Sequence, residues 1–437
     1  MNFIDELALR RRFGMKPGLD AIRRLCRTVG EPQKRFRAIH VAGTNGKGAV
    51  CALIDAALQG YGREIGVVGR YTSPHLVKLN ERFFIDGKPI SDERLEFFAK
   101  VVHDATEALA PENLDVTFFE ALTAVAFLAF ADAGVKHAVL ECGLGGRLDA
   151  TNVCDSEICV ITRVGLDHCD WLGDTVEKIA AEKAGIVKPG VPVVLGCNSD
   201  VVRMVISKRA EELGSPFFYA PDVASDRDIP DSFSLGGLFN RENAVTAMAA
   251  LRIMSQAGMI GGRKHEPDFS YFARAIWPGR FQRVGEFLID GAHNPPAAEA
   301  LAASLRAEFG DRRLPLVAGF CGDKDVDAVL RTLAPCVSRG FAVKTCNPRS
   351  LPATETAARM RKAGMSAEPC DSLLDALARS RIGLSPENAL GGHAEHETPS
   401  LVCGSLFLAG EALTMLGGYP WGDASRMDPS EQLGKSA

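Results

Sequence analysis

Apolar, β-branched runs recur along the chain, each followed by glycines or by a helical repeat. Ala38-Ile39-His40-Val41 precedes a helix from about Gly48, Ala138-Val139-Leu140-Glu141 runs into glycines, and Cys159-Val160-Ile161-Thr162 leads to helical spacing over Val176 to Ala184. Strands alternating with helices in this way predict parallel βαβ units and a doubly wound sheet, which takes its ligand at the carboxyl ends of the strands. A second series follows Pro278-Gly279-Arg280: Phe287 to Asp290, Leu316 to Gly319, Gly340 to Val343 and Leu401 to Gly404. The expectation is two α/β domains, 1–285 and 286–437. The most apolar stretch, Ala121 to Ala131, contains Thr123 and is too short to span a bilayer, so it reads as a core helix. Gly383 to Pro399 and the tail after Gly417 lack periodicity and read as exposed loops.

The 437 residues, 46% of them hydrophobic, can fill more than one core. A net charge of -5 gives no general basic field, so nucleic acid and anionic membrane are not expected partners and any bound anion must be held by local groups. Twelve cysteines stand singly with no CxxC pair, and Met1-Asn2-Phe3-Ile4-Asp5-Glu6 is not a secretory apolar region. The expectation is a soluble monomer in a reducing cytoplasm, acting on small molecules.

Local anion binding has a candidate in Ile39 to Val50, a glycine-rich turn between strand and helix. Backbone N–H groups of Thr44, Asn45, Gly46, Gly48 and Ala49 can cradle phosphate oxygens there, and Lys47 can reach the β- and γ-phosphates. The general P-loop pattern fails twice: Val41 stands at its first glycine and Gly48 at the Ser/Thr that normally binds magnesium. An ordinary glycine-rich turn with a solvated lysine is the alternative.

Ser73, Glu141 and His168 fall at or just past strand ends beside that turn, and together could replace the missing hydroxyl as magnesium ligands, since magnesium favours oxygen and retains several waters. Each also has an ordinary use: Ser73 can cap a turn, Glu141 can pair with a lysine, and His168 can be a hydrogen-bonded histidine. Lys183 lies on a helix ending at Gly185 that points back to the same sheet edge.

The segments His40–Gly48, Thr72–Leu76, Asn80-Glu81-Arg82, Gly143–Asn152, Leu166-Asp167-His168, Glu182–Ile186, Asp290–Pro295, Asp323-Lys324-Asp325 and Gly404-Ser405-Leu406, in this order, resemble the folylpolyglutamate synthase and dihydrofolate synthase family of the Mur ligase superfamily. The resemblance runs from about residue 15 to 412. It implies a P-loop doubly wound N-terminal domain and a smaller Rossmann-like α/β C-terminal domain. It also implies ATP and two magnesium ions, with Ser73, Glu141 and His168 as metal ligands and Lys183 as a carbamylated lysine. Arg280 and Asp290 look like nucleotide contacts from the second domain, Asn243 like the adenine-side asparagine, and His293 like a group near the transferred phosphate. For the acceptor the resemblance implies Thr117, Phe119 and Asp149, with Phe119 stacking on a pterin, and for incoming glutamate Ser405. Two departures stand out: Ala49 replaces a Ser or Thr found in many members, and Phe239-Asn240 replaces their His-Gln.

The function so implied is ATP-dependent ligation of L-glutamate to dihydropteroate or a reduced folate through an acyl phosphate. The Arg147-Leu148-Asp149-Ala150 spelling is similar to bifunctional members. A cell-wall peptide ligase of the Mur type would use the same ATP chemistry, and a P-loop nucleotide switch would show no glutamate-dependent phosphate release.

Overall fold

The computed structural model describes residues 3–9, 18–112, 114–260, 266–381 and 398–421. Its strands are β1 (Arg37–Ala42), β2 (Val68–Tyr71), β3 (Phe83–Ile85), β4 (Lys88–Pro89), β5 (His137–Glu141), β6 (Ser156–Ile161), β7 (Val193–Leu195), β8 (Phe217–Tyr219), β9 (Gln282–Val284), β10 (Phe287–Ile289), β11 (Leu314–Ala318), β12 (Val337–Ala342), β13 (Ala367–Pro369) and β14 (Ser400–Cys403). They form two sheets, ordered β4-β3-β2-β5-β1-β6-β7-β8 and β13-β12-β11-β14-β10-β9.

In the first sheet β2, β5, β1, β6, β7 and β8 are parallel neighbours, and β3 and β4 close one edge as antiparallel strands. β1 lies at the centre and is buried over Ala38 to Ala42, because helices cover both faces of a parallel sheet. One cover is the helix Phe118–Asp132, apolar nearly all round, which contains the expected core segment Ala121 to Ala131. The other is formed by the helices Lys47–Gly60 and Leu238–Gln256, whose Leu53, Ile54, Ala247 and Leu251 pack under Ile39, Val41 and Val160.

The second sheet is smaller and parallel except for β9, which pairs antiparallel with β10. The expected boundary at residue 285 falls in the turn of this hairpin, so the second sheet begins a few residues earlier, at Gln282. Gln282-Arg283-Val284 is a polar edge strand, and its composition gave no apolar run to read. Gly383 to Pro399 lies almost wholly outside the described residues, as does the chain beyond Trp421. Gly418 to Trp421 departs from the expected exposed tail: Tyr419 packs on the core around Leu408 and Leu413. All twelve cysteines are free. Among the described residues no helix is long and apolar enough to cross a membrane.

Candidate active site

The carboxyl ends of β1, β5 and β6 open into a cleft of about 910 Å3 between the two sheets. Volume and place are those of a small-molecule site at the switch point of a doubly wound sheet. β1 runs directly into the glycine-rich loop. Gly46, at φ +90, precedes the helix Lys47–Gly60 and caps it with no side chain, so the first N–H groups of the helix are left for an external acceptor. A Cβ on Gly48 would stand 1.9 Å from the ring of Trp277. The position where P-loops carry a hydroxyl is therefore closed to any side chain by an aromatic ring. Thr44 Oγ1 exchanges hydrogen bonds with the Gly165 carbonyl at 3.0 Å and its N–H at 3.1 Å, tying the loop to the segment after β6. Lys47 Nζ donates to Thr44 O at 3.2 Å, and the lysine lines the cleft.

β5 ends on Glu141. Its Oε2 accepts from Ser73 N at 2.9 Å, which joins two of the three predicted metal ligands. Burial raises the Glu141 pKa, opposed by Lys47 and the Ser73 N–H. His168 lines the same cleft but differs from expectation, since β6 ends at Ile161 and the histidine is reached only after a loop. It sits at φ +52, a backbone state that costs a non-glycine residue about 1–2 kcal/mol, and Asp167 Oδ1 holds it by accepting from His168 N at 2.9 Å. Among the described residues no three His, Cys, Asp or Glu side chains gather as a metal cluster. One carboxylate and a serine suit a hard cation held chiefly by phosphate oxygens and water. Lys183, only 2% exposed, donates Nζ to Gly43 O at 2.8 Å, and burial with nearby Lys47 lowers its pKa to about 7.

The second domain supplies the opposite wall. Asp290, past the end of β10, accepts from Phe281 N and Ala292 N, both at 2.8 Å. It thereby holds Phe281 at φ +55 and sets the turn that carries Arg280, whose pKa is lowered by burial against the attraction of Asp290 and Glu141. Asp290 acts here as a brace, with both oxygens engaged by backbone. His293 Nδ1 lies 2.8 Å from Gly291 O, so this nitrogen carries the proton and Nε2 is an acceptor; burial lowers the pKa to about 4, and the ring is neutral at pH 7. Asn243 packs over Gly46 and donates Nδ2 to Asn240 Oδ1 at 3.2 Å, while Asn240 Nδ2 donates to Gly236 O at 2.7 Å. Asn240 thus orients the Asn243 amide, and its neighbour Phe239 packs edge-on against Phe281.

At the acceptor end the three predicted residues part company. Phe119 lines the cleft with its ring against Gly143. Thr117 caps the helix Phe118–Asp132: its Oγ1 donates to Glu120 Oε2 at 2.8 Å and accepts from Glu120 N. Asp149 is buried and holds Leu144 N at 2.9 Å and Thr151 N at 3.0 Å, so its carboxylate folds the glycine-rich loop back on itself. Ser405 Oγ accepts from Phe407 N at 3.1 Å as the cap of Leu406–Met415, and it lines the cleft beside Lys324 and Arg349.

The family of Mur ligase middle domains matches residues 41–214, and that of the Mur ligase, glutamate ligase domain matches residues 279–390. The dihydrofolate synthase/folylpolyglutamate synthase of Bacillus subtilis is 36% identical over 348 residues, covering 74% of this chain and 80% of that protein. The chain belongs to the dihydrofolate synthase/folylpolyglutamate synthase family. A solved folylpolyglutamate synthase of Mycobacterium tuberculosis, complexed with ADP and AMPPCP, matches with a TM-score of 0.83 and 32% identity over 92% of this chain and 96% of that one. An Escherichia coli relative in complex with DHPP and ADP matches with a TM-score of 0.78 and 28% identity over 96% and 98%. The chain is thus an ATP-dependent ligase of the Mur superfamily, with its two family domains on either side of the cleft.

Within this ligase the sequence reading gave no role to Asn294, Asp167 or Lys324. Asn294, 3% exposed, joins the domains: Nδ2 donates to Asp167 Oδ2 at 2.8 Å, while Oδ1 caps Ala297 N at 2.9 Å and meets Asn45 Nδ2 at 3.5 Å. Lys324 approaches Asp167 at 3.8 Å from the same side. The helix-start signal Asn294-Pro295-Pro296 was legible as a cap; its reach across the cleft was not.

Proposed function

We propose that this enzyme joins L-glutamate to dihydropteroate and to reduced folates, using ATP to make an acyl phosphate of the acceptor carboxyl group. The observation that carries the reading is the pairing, across one strand interval, of the Lys47 loop at the end of β1 with Ser73-bound Glu141 at the end of β5. Relatives bound to ADP, AMPPCP and DHPP support it.

The loop N–H groups and Lys47 would neutralise charge growing on the transferred phosphoryl oxygens. Glu141 and Ser73, with His168, would hold a divalent ion whose chemistry is to offset phosphate charge. Arg280 reaches the site from the second domain, and His293 Nε2 is an acceptor able to take a hydrogen bond from an incoming amine. Phe119 would stack on the pterin, Asn243 would meet the adenine side, and Ser405 with the cations Lys324 and Arg349 would receive glutamate. Asp149, Asp290 and Thr117 would serve by holding the loops that carry these groups. Closure between the domains keeps water from the acyl phosphate before the amine attacks and expels phosphate.

Lys183 fits the proposed carbamate. Its amine is held near Gly43 with a pKa of about 7, so a substantial share is the neutral form that reacts with carbon dioxide. The product would be an anion suited to a second magnesium ion, observable by NMR in isotope-labelled bicarbonate. The reading includes a cytoplasmic monomer with small-molecule substrates only.

Glutamate-dependent phosphate release from ATP, run with dihydropteroate, with tetrahydrofolate and without acceptor, tests the function. Release with both acceptors, each gaining one glutamate by mass, is expected. Release with one restricts the enzyme to that acceptor, and release with neither overturns the reading.

A further inference from the structure

The segment that carries Ser73 belongs to the first domain by sequence, yet the second domain holds it at two points. Leu76, partly buried, packs against the core that includes Leu408, Ala409 and Leu413 of the helix Leu406–Met415. Beyond that helix the chain crosses back to the first domain. Gly418 O still accepts from Gln282 Nε2 of the second sheet at 3.1 Å, and then Tyr419 Oη donates to Glu81 Oε1 at 2.8 Å and Trp421 packs edge-on against Phe84 with centroids 5.1 Å apart.

Glu81 is the centre of this contact. It is 6% exposed and accepts from the backbone of Leu76 and Val77 at 2.8 Å and of Lys78 at 2.7 Å. The carboxylate therefore shapes the whole turn after Ser73, and the Tyr419 phenol reaches it from the second domain. At the near end of the same turn, Ser73 N binds Glu141.

We infer that Tyr419 is a positioning residue: through Glu81 it fixes the Ser73 to Lys78 turn in register with Glu141, so that the second domain sets the geometry of the metal and phosphate ligands on the first. The inference rests on the proposed role of Ser73 and Glu141. Partners that orient a metal ligand change metal affinity when removed, even though they touch neither metal nor substrate.

Tyr419→Phe in the full-length enzyme removes only the hydroxyl and keeps the ring. The first measurement is equilibrium binding of manganese in the presence of a non-hydrolysable ATP analogue, which needs no turnover. An affinity about tenfold weaker is expected. The second is hydrogen exchange without ligands, where peptides covering 72–82 should exchange faster while those of the second sheet keep their wild-type rates. Leu76→Ala, which loosens the other anchor of the turn, should weaken manganese binding in the same direction. Unchanged manganese affinity in Tyr419→Phe overturns the inference. So does a weakening accompanied by faster exchange throughout the second domain, which marks general loosening. Failure of wild-type enzyme to release phosphate with glutamate would instead overturn the functional reading, independently of these binding data.

Discussion

At the end of β5, Glu141 gives one oxygen to Ser73 N, and its Oε1 has no protein hydrogen bond among the described residues. At the end of β10, Asp290 is as deeply buried, and both of its oxygens are taken by backbone N–H groups. Burial raises both pKa values, so perturbed titration does not separate them. What separates them is unfilled hydrogen-bonding capacity facing the cleft. A carboxylate that completes a turn is a structural part, and one with an oxygen left over can hold a cation or substrate.

The largest test of this contrast is Glu141→Gln, which keeps shape and an acceptor for Ser73 N. Loss of the negative charge should lower kcat/KM about 10^2- to 10^3-fold, the scale of removing one preorganised electrostatic group. Thermal unfolding should stay at or above the wild-type temperature, because a buried carboxylate becomes an amide. Activity within tenfold of wild type would remove Glu141 from the catalytic set.

Asp290→Asn should invert the outcome. One of the Phe281 and Ala292 N–H groups must then face an amide NH2 in place of an oxygen. The expected loss is about 2–3 kcal/mol of folding stability, read as a lower urea midpoint at unchanged slope. Any fall in activity should follow from displacement of Arg280 and appear chiefly in the KM for ATP. Full stability with a collapse in kcat would show that Asp290 meets the reacting groups directly.

The same distinction marks what was readable in the sequence. Apolar β1, β5 and β6 were visible because their periodicity is local, and Gly46, Lys47 and Gly48 because a strand-to-helix turn has local glycine requirements. Asp149, Asp290 and Thr117 were also found, since their segments are distinctive, but a motif does not say whether an oxygen ends up on a ligand or on a backbone N–H. Residues whose part depends on a remote contact that no motif assigns, such as Tyr419 and Asn294, received no role. Tyr419 meets Glu81 across 338 positions and Asn294 meets Asp167 across 127, and nothing near either residue announces its partner. β9 escaped for a different reason, since an antiparallel edge strand needs only one apolar side and Gln282-Arg283-Val284 provides little of one.

A smaller effect compares the two regions through their buried histidines. His40 in β1 has its pKa lowered to about 3 by burial and then by Lys188; His293 after β10 has its pKa lowered to about 4 by burial and then by Lys324. Unfolded, each titrates near 6.5. Between those values the unfolded chain binds a proton that the native ring refuses, so acidification favours unfolding by up to about 1.4 kcal/mol per pH unit for each ring. Buried carboxylates with raised pKa values act in the opposite sense over part of this range, so the readable quantity is the difference between wild type and variant. His40→Gln and His293→Gln should each be less stable than wild type at pH 7, and each gap should narrow as the pH falls below 6.5. Below about pH 4 the two should separate: the His293 gap becomes constant, while the His40 gap narrows further towards pH 3. Urea titrations at half-unit pH intervals decide it, and a His293 gap that does not change with pH would mean that the ring takes up its proton equally readily in the folded and unfolded chain.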